Sequence, residues 1–241
     1  MTNLNENEIW KMVPPEEKLG LLAKAQTSAV YTCIMFIGVA FTLAIALKIK
    51  WLVWISVLAS PLLFQSAAHR AWRGLKPKIL LEYLAARSVA RRFAYAGSAR
   101  GLDLDILFRG KVTDITNESE ELSDAISSIE HSTKEATAWI GLLTDAVVAF
   151  SEKRGGGVLE FVSITDKRVE VHGKNIDGSS AEYSQNREIF LTINKSYGGT
   201  SKYKITSDYP AALIVFEKKL AARIIETQKK AALAAEASTA S

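Results

Sequence analysis

Cysteine is almost absent from this 241-residue chain: Cys33 is the only one. One thiol closes no disulfide framework and supports no cysteine-based metal site within the chain. Histidine is nearly as scarce, and His69, His131 and His172 stand too far apart to form a ligand motif. Charge is missing from two long stretches, residues 25–47 and 51–68, which contain no Asp, Glu, Lys or Arg. Acid is missing from a third. Between Arg70 and Arg100, eight Lys or Arg face the single acid Glu82. That segment carries +7 in a chain whose total is +4, which leaves about −3 for the rest. Basic character confined to one segment points to a membrane surface and argues against a nucleic-acid partner. Also missing, at the level of motifs, are a nucleophile elbow, a phosphate loop and a metal-ligand cluster, so no enzyme activity, cofactor or metal is expected.

What is present begins with the two uncharged stretches. Ser28–Leu47 is 20 residues, and at about 1.5 Å per residue a helix of that length reaches roughly 30 Å, the thickness of a bilayer core. Trp51–Ala68 is 18 residues, with Pro61 inside it. A membrane helix tolerates such a proline with a kink. Neither run has a polar helical face. A single span over 28–68 would bury Lys48 and Lys50 at its centre, whereas two spans place them at a turn. The first run follows an acidic, polar leader (residues 1–24) and is too long for the core of a cleaved signal peptide. Residues 25–69 therefore read as a transmembrane helical hairpin. The basic cluster after Ala68, with Lys11, Lys18 and Lys24 in the leader, places both termini in the cytoplasm. Trp51 and Trp54 mark the outer interface and Trp72 the inner one.

Residues 70–100 read as a basic juxtamembrane connector, broken at Gly74 and Pro77, and an amphipathic helix from about Lys78. Ile79, Tyr83, Ala86, Ala90 and Phe93 form its apolar stripe. Arg70, Arg73, Lys76, Lys78, Arg87, Arg91 and Arg92 are the residues expected to face anionic lipid. A plain solvated helix face is the alternative.

Residues 101–228 read as a cytosolic α+β domain of helices packed on a small antiparallel sheet. Residues 102–116 alternate well enough for a strand or a short hairpin, with Asp103 and Asp105 on one face. The spacing of Leu122, Ile126, Ile129, Thr133, Ala136, Ile140, Leu143, Val147 and Phe150 by fours and threes predicts a long helix, capped by Asn117. Its apolar stripe, with Ala125, Trp139, Thr144 and Ala146 beside it, is wider than a coiled-coil seam. It therefore suits packing on a sheet or another helix better than self-association, and Leu122, Ile126, Ile129, Ile140, Leu143, Val147 and Phe150 are the expected packing or oligomer seam. Residues 152–157 are a hinge, and the strand that follows excludes a phosphate cradle. VLEFVSI (158–164) and KRVEVHG (167–173) predict one β-hairpin, and REIFLTIN (187–194) with SKYKITS (201–207) a second. Asp208 and Pro210 announce a final helix with Leu213, Phe216, Leu220 and Ile224 on its apolar face. Residues 229–241 read as a flexible tail. His172, with Asp166 and Glu170 nearby in sequence, is the one weak constellation for catalysis, and a solvent-facing strand histidine is the competing reading.

Two hairpins and a capping helix give residues 158–225 a resemblance to bacterial pleckstrin-homology-like domains of two-span membrane proteins. It is carried by ITDKRVEV (164–171), similar to a second-strand entry, and by SKYKITSDYPAALIVFEKKLAARI (201–224), similar to the last strand and C-terminal helix. Where that family has seven strands, about five are legible here, and the long helix interrupts the sheet. The resemblance implies a binding and scaffolding module.

These readings together predict a membrane-anchored, non-enzymatic interaction or scaffolding protein. It presents its α+β domain at the inner leaflet of a bacterial-type inner membrane. Its partners are the lipid bilayer and a protein, or a second copy of itself. A homo-oligomeric two-span effector or channel component is the alternative, with Gly38, Ala40, Ala44 and Ala46 as small residues that permit close helix contact.

Overall fold

The structure is a computed structural model. It describes residues 6–49, 51–96, 103–116, 135–152, 157–164, 168–175, 187–195 and 198–239. The chain divides into two units, Met1–Leu84 and Ala85–Ser241.

The first unit is helical. Helix α1 is Glu6–Met12, α2 is Pro15–Ala46, and α3 is Trp51–Ala96, which runs on past the unit boundary. Pro15 opens α2 at a position where its missing N–H costs nothing. The two helices meet through small side chains. Leu21, Ala25, Ala29, Ala40 and Ala44 are the buried apolar residues of α2, and the half-buried Cys33 thiol donates to the Ser60 carbonyl at 3.7 Å. Over the uncharged run of α2 many large apolar side chains face outward, with Met35 69% and Ile45 65% exposed. Hydroxyls on these helices turn back onto the backbone of their own helix. Thr27, Thr32 and Thr42 each donate to the carbonyl four residues back at 2.9 Å. Ser56 and Ser60 donate three residues back at 2.7 Å. Such back-bonding lets a hydroxyl sit in an apolar medium without an unmet donor.

The turn between the helices is a Schellman motif. Lys48 takes the left-handed conformation at φ 57. The Lys48 N–H donates to Ile45 at 3.3 Å and the Ile49 N–H to Ala44 at 3.0 Å, which satisfies two carbonyls at the end of α2. The expected break at Gly74 and Pro77 is absent, since α3 continues through both and through Pro61. Each proline removes one backbone hydrogen bond, and a long helix with partners on its buried face absorbs the loss.

The second unit contains a seven-stranded antiparallel sheet: β1 Leu104–Asp114, β2 Glu135–Leu143, β3 Ala146–Ser151, β4 Val158–Ser163, β5 Arg168–Asn175, β6 Arg187–Asn194 and β7 Thr200–Thr206. The order across the sheet is β4-β3-β2-β1-β7-β6-β5. Among the described residues, seven strands followed by a helix is the count that the pleckstrin-homology-like resemblance implied. Helix α4, Pro210–Thr239, follows and carries Leu213, Phe216 and Leu220 fully buried and Ile224 at 8% exposure. Burying each of these large side chains contributes roughly 1.5–3 kcal/mol. Phe216 meets Phe108 edge to face, with ring centroids 5.6 Å apart.

Three sequence expectations change here. The long helix does not form over its described part: Ala136, Ile140 and Leu143 lie on β2, and Val147 and Phe150 on β3. Leu122, Ile126, Ile129 and Thr133 lie outside the described residues. The misreading has a physical cause. Residues 138–143 and 146–150 are buried on both faces of the sheet, so the alternation that announces a strand is missing. The predicted 158–173 hairpin is also absent. β4 pairs with β3 and β5 pairs with β6, so these consecutive strands form the two opposite edges of the sheet. Only Ile164 to Lys167 joins them, and so short a link forces the sheet to curl until its edges approach. Of the two forms expected for residues 102–116, the strand forms, bulged between Leu104 and Ile106. The tail is helical as far as Thr239. The second predicted hairpin, β6 with β7, forms as expected, with Asn194 opposite Thr200.

Candidate functional site

Two places gather polar and aromatic side chains: the inner end of the helical hairpin and a cleft in the sheet. On α3, Trp51 and Trp54 are 61% and 72% exposed at one end of the apolar run. Trp72 lies 21 residues after Trp51, about 32 Å along a helix, so the two tryptophan levels match a bilayer core. Two helices of this length and apolarity are suited to crossing a membrane.

At the inner end, the Trp10 and Trp72 rings meet edge to face at 5.8 Å. The Lys18 and Lys76 ammonium groups each stand 5.2 Å from the centre of the Trp10 ring. Both contacts lie in the range of cation–π attraction. Glu17 and Tyr83 are buried together, and the Tyr83 hydroxyl donates to Glu17 Oε2 at 2.5 Å. This bond ties the first turn of α2 to α3 one level further from the apolar runs.

The seven basic residues expected at a lipid surface are not equivalent. Arg70, Arg73, Lys78 and Arg92 are exposed, and Lys76 and Arg91 are half-buried. Arg87 is buried at 8% exposure, on the same helical face as Tyr83 and Ala90, so it leaves the set that can face phosphates. Burial of Tyr83, Ala86 and Ala90 follows the apolar stripe read from the sequence. Of the small residues considered for contact between copies, Ala40 and Ala44 are taken up inside the chain, while Gly38 faces open space.

The cleft in the sheet encloses about 400 Å³. It forms because β7 pairs only with the last four residues of β1, Lys111 to Asp114, and then turns away through Ser207 and Tyr209 into α4. Gly110 is required at the point of divergence. A Cβ there would lie 2.6 Å from the Thr206 carbonyl and 2.7 Å from Ile140 Cδ1. The cleft is lined by Arg109, Lys111 and Arg187, with Glu152, Asp208 and the hydroxyls of Thr137, Thr206 and Ser207. Arg109 lies over the Trp139 ring at 4.8 Å and pairs with Glu152 at 3.5 Å. Lys111 pairs with Glu135 at 2.7 Å, and that hydrogen bond holds its pKa above the ordinary lysine value. Arg187 reaches Glu217 of α4 at 2.5 Å, above Gly173, whose missing side chain leaves room for the pair. Each cation thus has a carboxylate neighbour, and the arrangement joins strands and helix. Sequence reasoning did not single out Arg109 and took Trp139 only as a flank of the expected helix, whereas the two sit directly opposite each other on β1 and β2.

The remaining candidates separate. Asp105 pairs with Arg223 of α4, which also donates to the Leu143 carbonyl, so this carboxylate anchors the helix. The His172 side chain is 72% exposed on β5, with Glu170 at 3.9 Å, and Asp166 lies outside the described residues. Among the described residues no group of three or more His, Cys, Asp or Glu could hold a metal ion.

No protein-family model matches the chain, and no curated protein matches it in sequence. Solved structures give weak matches. Vav1 bound to an allosteric inhibitor of its GEF activity aligns at TM-score 0.32 and 14% identity, over 70% of this chain and 40% of that one. The complex of PDZ-RhoGEF DH/PH domains with GTP-γ-S-activated RhoA aligns at 0.31 and 10% identity, over 74% and 56%. The C-terminal domain of an unknown protein from Leishmania infantum aligns at 0.31 and 6%, over 57% and 96%. The chain thus spans less than half of the Vav1 chain it matches. Scores this low carry no functional argument, and the fold rests on its own topology: two long apolar helices and a seven-stranded antiparallel sheet capped by a helix.

Proposed function

We propose that this chain is a membrane-anchored, non-enzymatic interaction protein that presents its α+β domain at the inner leaflet of a bacterial-type inner membrane, with both termini in the cytoplasm. The observation that carries the reading is the outward apolar surface of the hairpin. Trp54, Leu58, Leu62 and Met35 are each about 70% exposed or more, far beyond what the surface of a water-soluble unit carries as a contiguous patch. A bilayer covers it. The sheet has its own core and asks for no such cover, which suits a domain free to meet a protein partner. The basic residues that follow the hairpin, Arg70, Arg73, Lys76, Lys78, Arg91 and Arg92, supply attraction to an anionic leaflet worth about 1 kcal/mol per cation near the surface.

The test is purification of the full-length protein from its own membranes in a gentle detergent, with mass and composition read together. The expected result is a chain that resists alkaline carbonate extraction and elutes with a second protein at fixed ratio. Release into the soluble fraction by carbonate overturns the anchor. A large species containing this chain alone supports the homo-oligomeric effector instead, and ion flux from reconstituted vesicles then decides whether it conducts.

A further inference from the structure

We propose that the inner end of the hairpin is a specific site for one anionic phospholipid, with an acyl chain held in a groove between α2 and α3 and the phosphate held by Lys18 and Lys76. This rests on the membrane-anchored reading. The groove is a concavity of about 390 Å³. Leu22 and Ala25 on α2 and Phe64, Ala68 and Trp72 on α3 supply its apolar lining, and Gln26, Gln65 and His69 line it too. It is open to the outside, because Leu22, Gln65 and His69 are exposed.

Position along the helices gives the groove a direction. Lys18 precedes Leu22 by four residues on α2, and Lys76 follows Trp72 by four on α3. The backbone of each lysine therefore lies about one helical turn, about 6 Å, past Leu22 or Trp72 on the side away from the spans. Both converge on the Trp10 ring at 5.2 Å, and Trp10 abuts Trp72. Among the described residues no ion pair occupies either lysine. An ammonium on an aromatic face keeps donors free for an anion. Apolar groove first, two cations one turn beyond, with tryptophans between them, is the layout of a phospholipid standing in its leaflet with its head toward the cytoplasm. Two cations beside one aromatic ring favour a net negative headgroup over a zwitterion, which offsets its own phosphate charge. The groove opens at the level where the leaflet supplies lipid laterally, which favours a membrane phospholipid over a soluble amphiphile.

The experiment uses full-length protein in phosphatidylcholine nanodiscs, with a trace of spin-labelled phosphatidylglycerol or spin-labelled phosphatidylcholine. The readout is the motionally restricted fraction of each label. A preference for phosphatidylglycerol of roughly 10-fold or more is expected from two cations. The K18Q/K76Q variant, which keeps the groove and both tryptophans, drops below about 3-fold on the same reasoning, and K24Q keeps the wild-type preference. Equal restriction of the two lipids by the wild type overturns the proposal, as does a preference that survives K18Q/K76Q. Failure of the chain to enter the nanodiscs overturns the anchor itself, and entry without preference overturns the lipid site alone.

Discussion

Gly110 offers the sharpest test of how the sheet is built. It stands where β1 leaves β7, and an added Cβ would meet the Thr206 carbonyl at 2.6 Å and Ile140 Cδ1 at 2.7 Å. The first of these is backbone, fixed by the Lys111–Thr206 pairing, and cannot swing aside. Overpacking of this kind costs about 1–3 kcal/mol, and parting β7 from β1 adds to it, so Gly110→Ala is expected near 3 kcal/mol. Two other glycines calibrate the claim. At Gly173 an added Cβ lies within 2.6 Å of the ends of Arg187 and Glu217. Those ends can move, so the cost is the loss of one half-buried ion pair, about 1–2 kcal/mol. At Gly157 nothing lies within 4 Å, and alanine there is expected within about 0.5 kcal/mol of wild type. Hydrogen exchange of the full-length protein in mild detergent, read by mass on peptides from β1 and β7, reports the opening free energy of the sheet. Gly110→Ala is expected to speed exchange of both strands about 100-fold. If the two strands exchange within about 3-fold of wild type, the close approach of β1 and β7 is wrong.

Three further perturbations follow from the same contacts. Lys48→Gly relieves a left-handed residue at φ 57, so it should stabilise the hairpin turn by roughly 0.5–1 kcal/mol, and a lowered melting temperature in detergent would argue against the Schellman turn. Phe216→Ala empties a fully buried position between α4 and the sheet. It should cost about 3–5 kcal/mol, and exchange of β5 and β6 that stays at wild-type rates would refute the placement of α4. Tyr203 is pushed well above the ordinary tyrosine value, first by burial and then by its hydrogen bond to Glu160. The folded state therefore keeps a proton that the unfolded state loses. The stabilisation is full below about pH 10 and fades as pH rises toward the folded value. Tyr203→Phe should flatten that alkaline limb, and an unchanged pH profile would remove Tyr203 as its source.

Several elements were legible because their signal is local. The uncharged runs, the lysines between them, the β6–β7 hairpin and the apolar face of α4 each follow from periodicity or from composition within one short window. Arg87 shows where such reading stops. Its spacing from Arg91 suggested a charged outer face, yet it shares the buried side of α3 with Tyr83 and Ala90. A guanidinium on a long stem can sit on either border of an apolar stripe, and only the neighbours decide which. The grouping of Lys18 and Lys76 was equally out of reach, since the two are separated by almost sixty residues and both lie beside Trp10.

By itself the sequence determined where the chain is apolar over a bilayer's thickness, where it must turn, and that its final helix has a face to bury. These are one-dimensional properties: length, charge and period. The tertiary structure alone decided that residues 135–143 and 146–151 are strands, because burial on both faces erases the two-residue period while leaving threes and fours that mimic a helix. It alone placed β4 and β5 at opposite edges of one curled sheet. Adjacency in sequence favours pairing, but β3 and β6 were already complementary partners, and a sheet that closes around Phe108, Phe216 and Leu213 buries more apolar surface than a separate hairpin could.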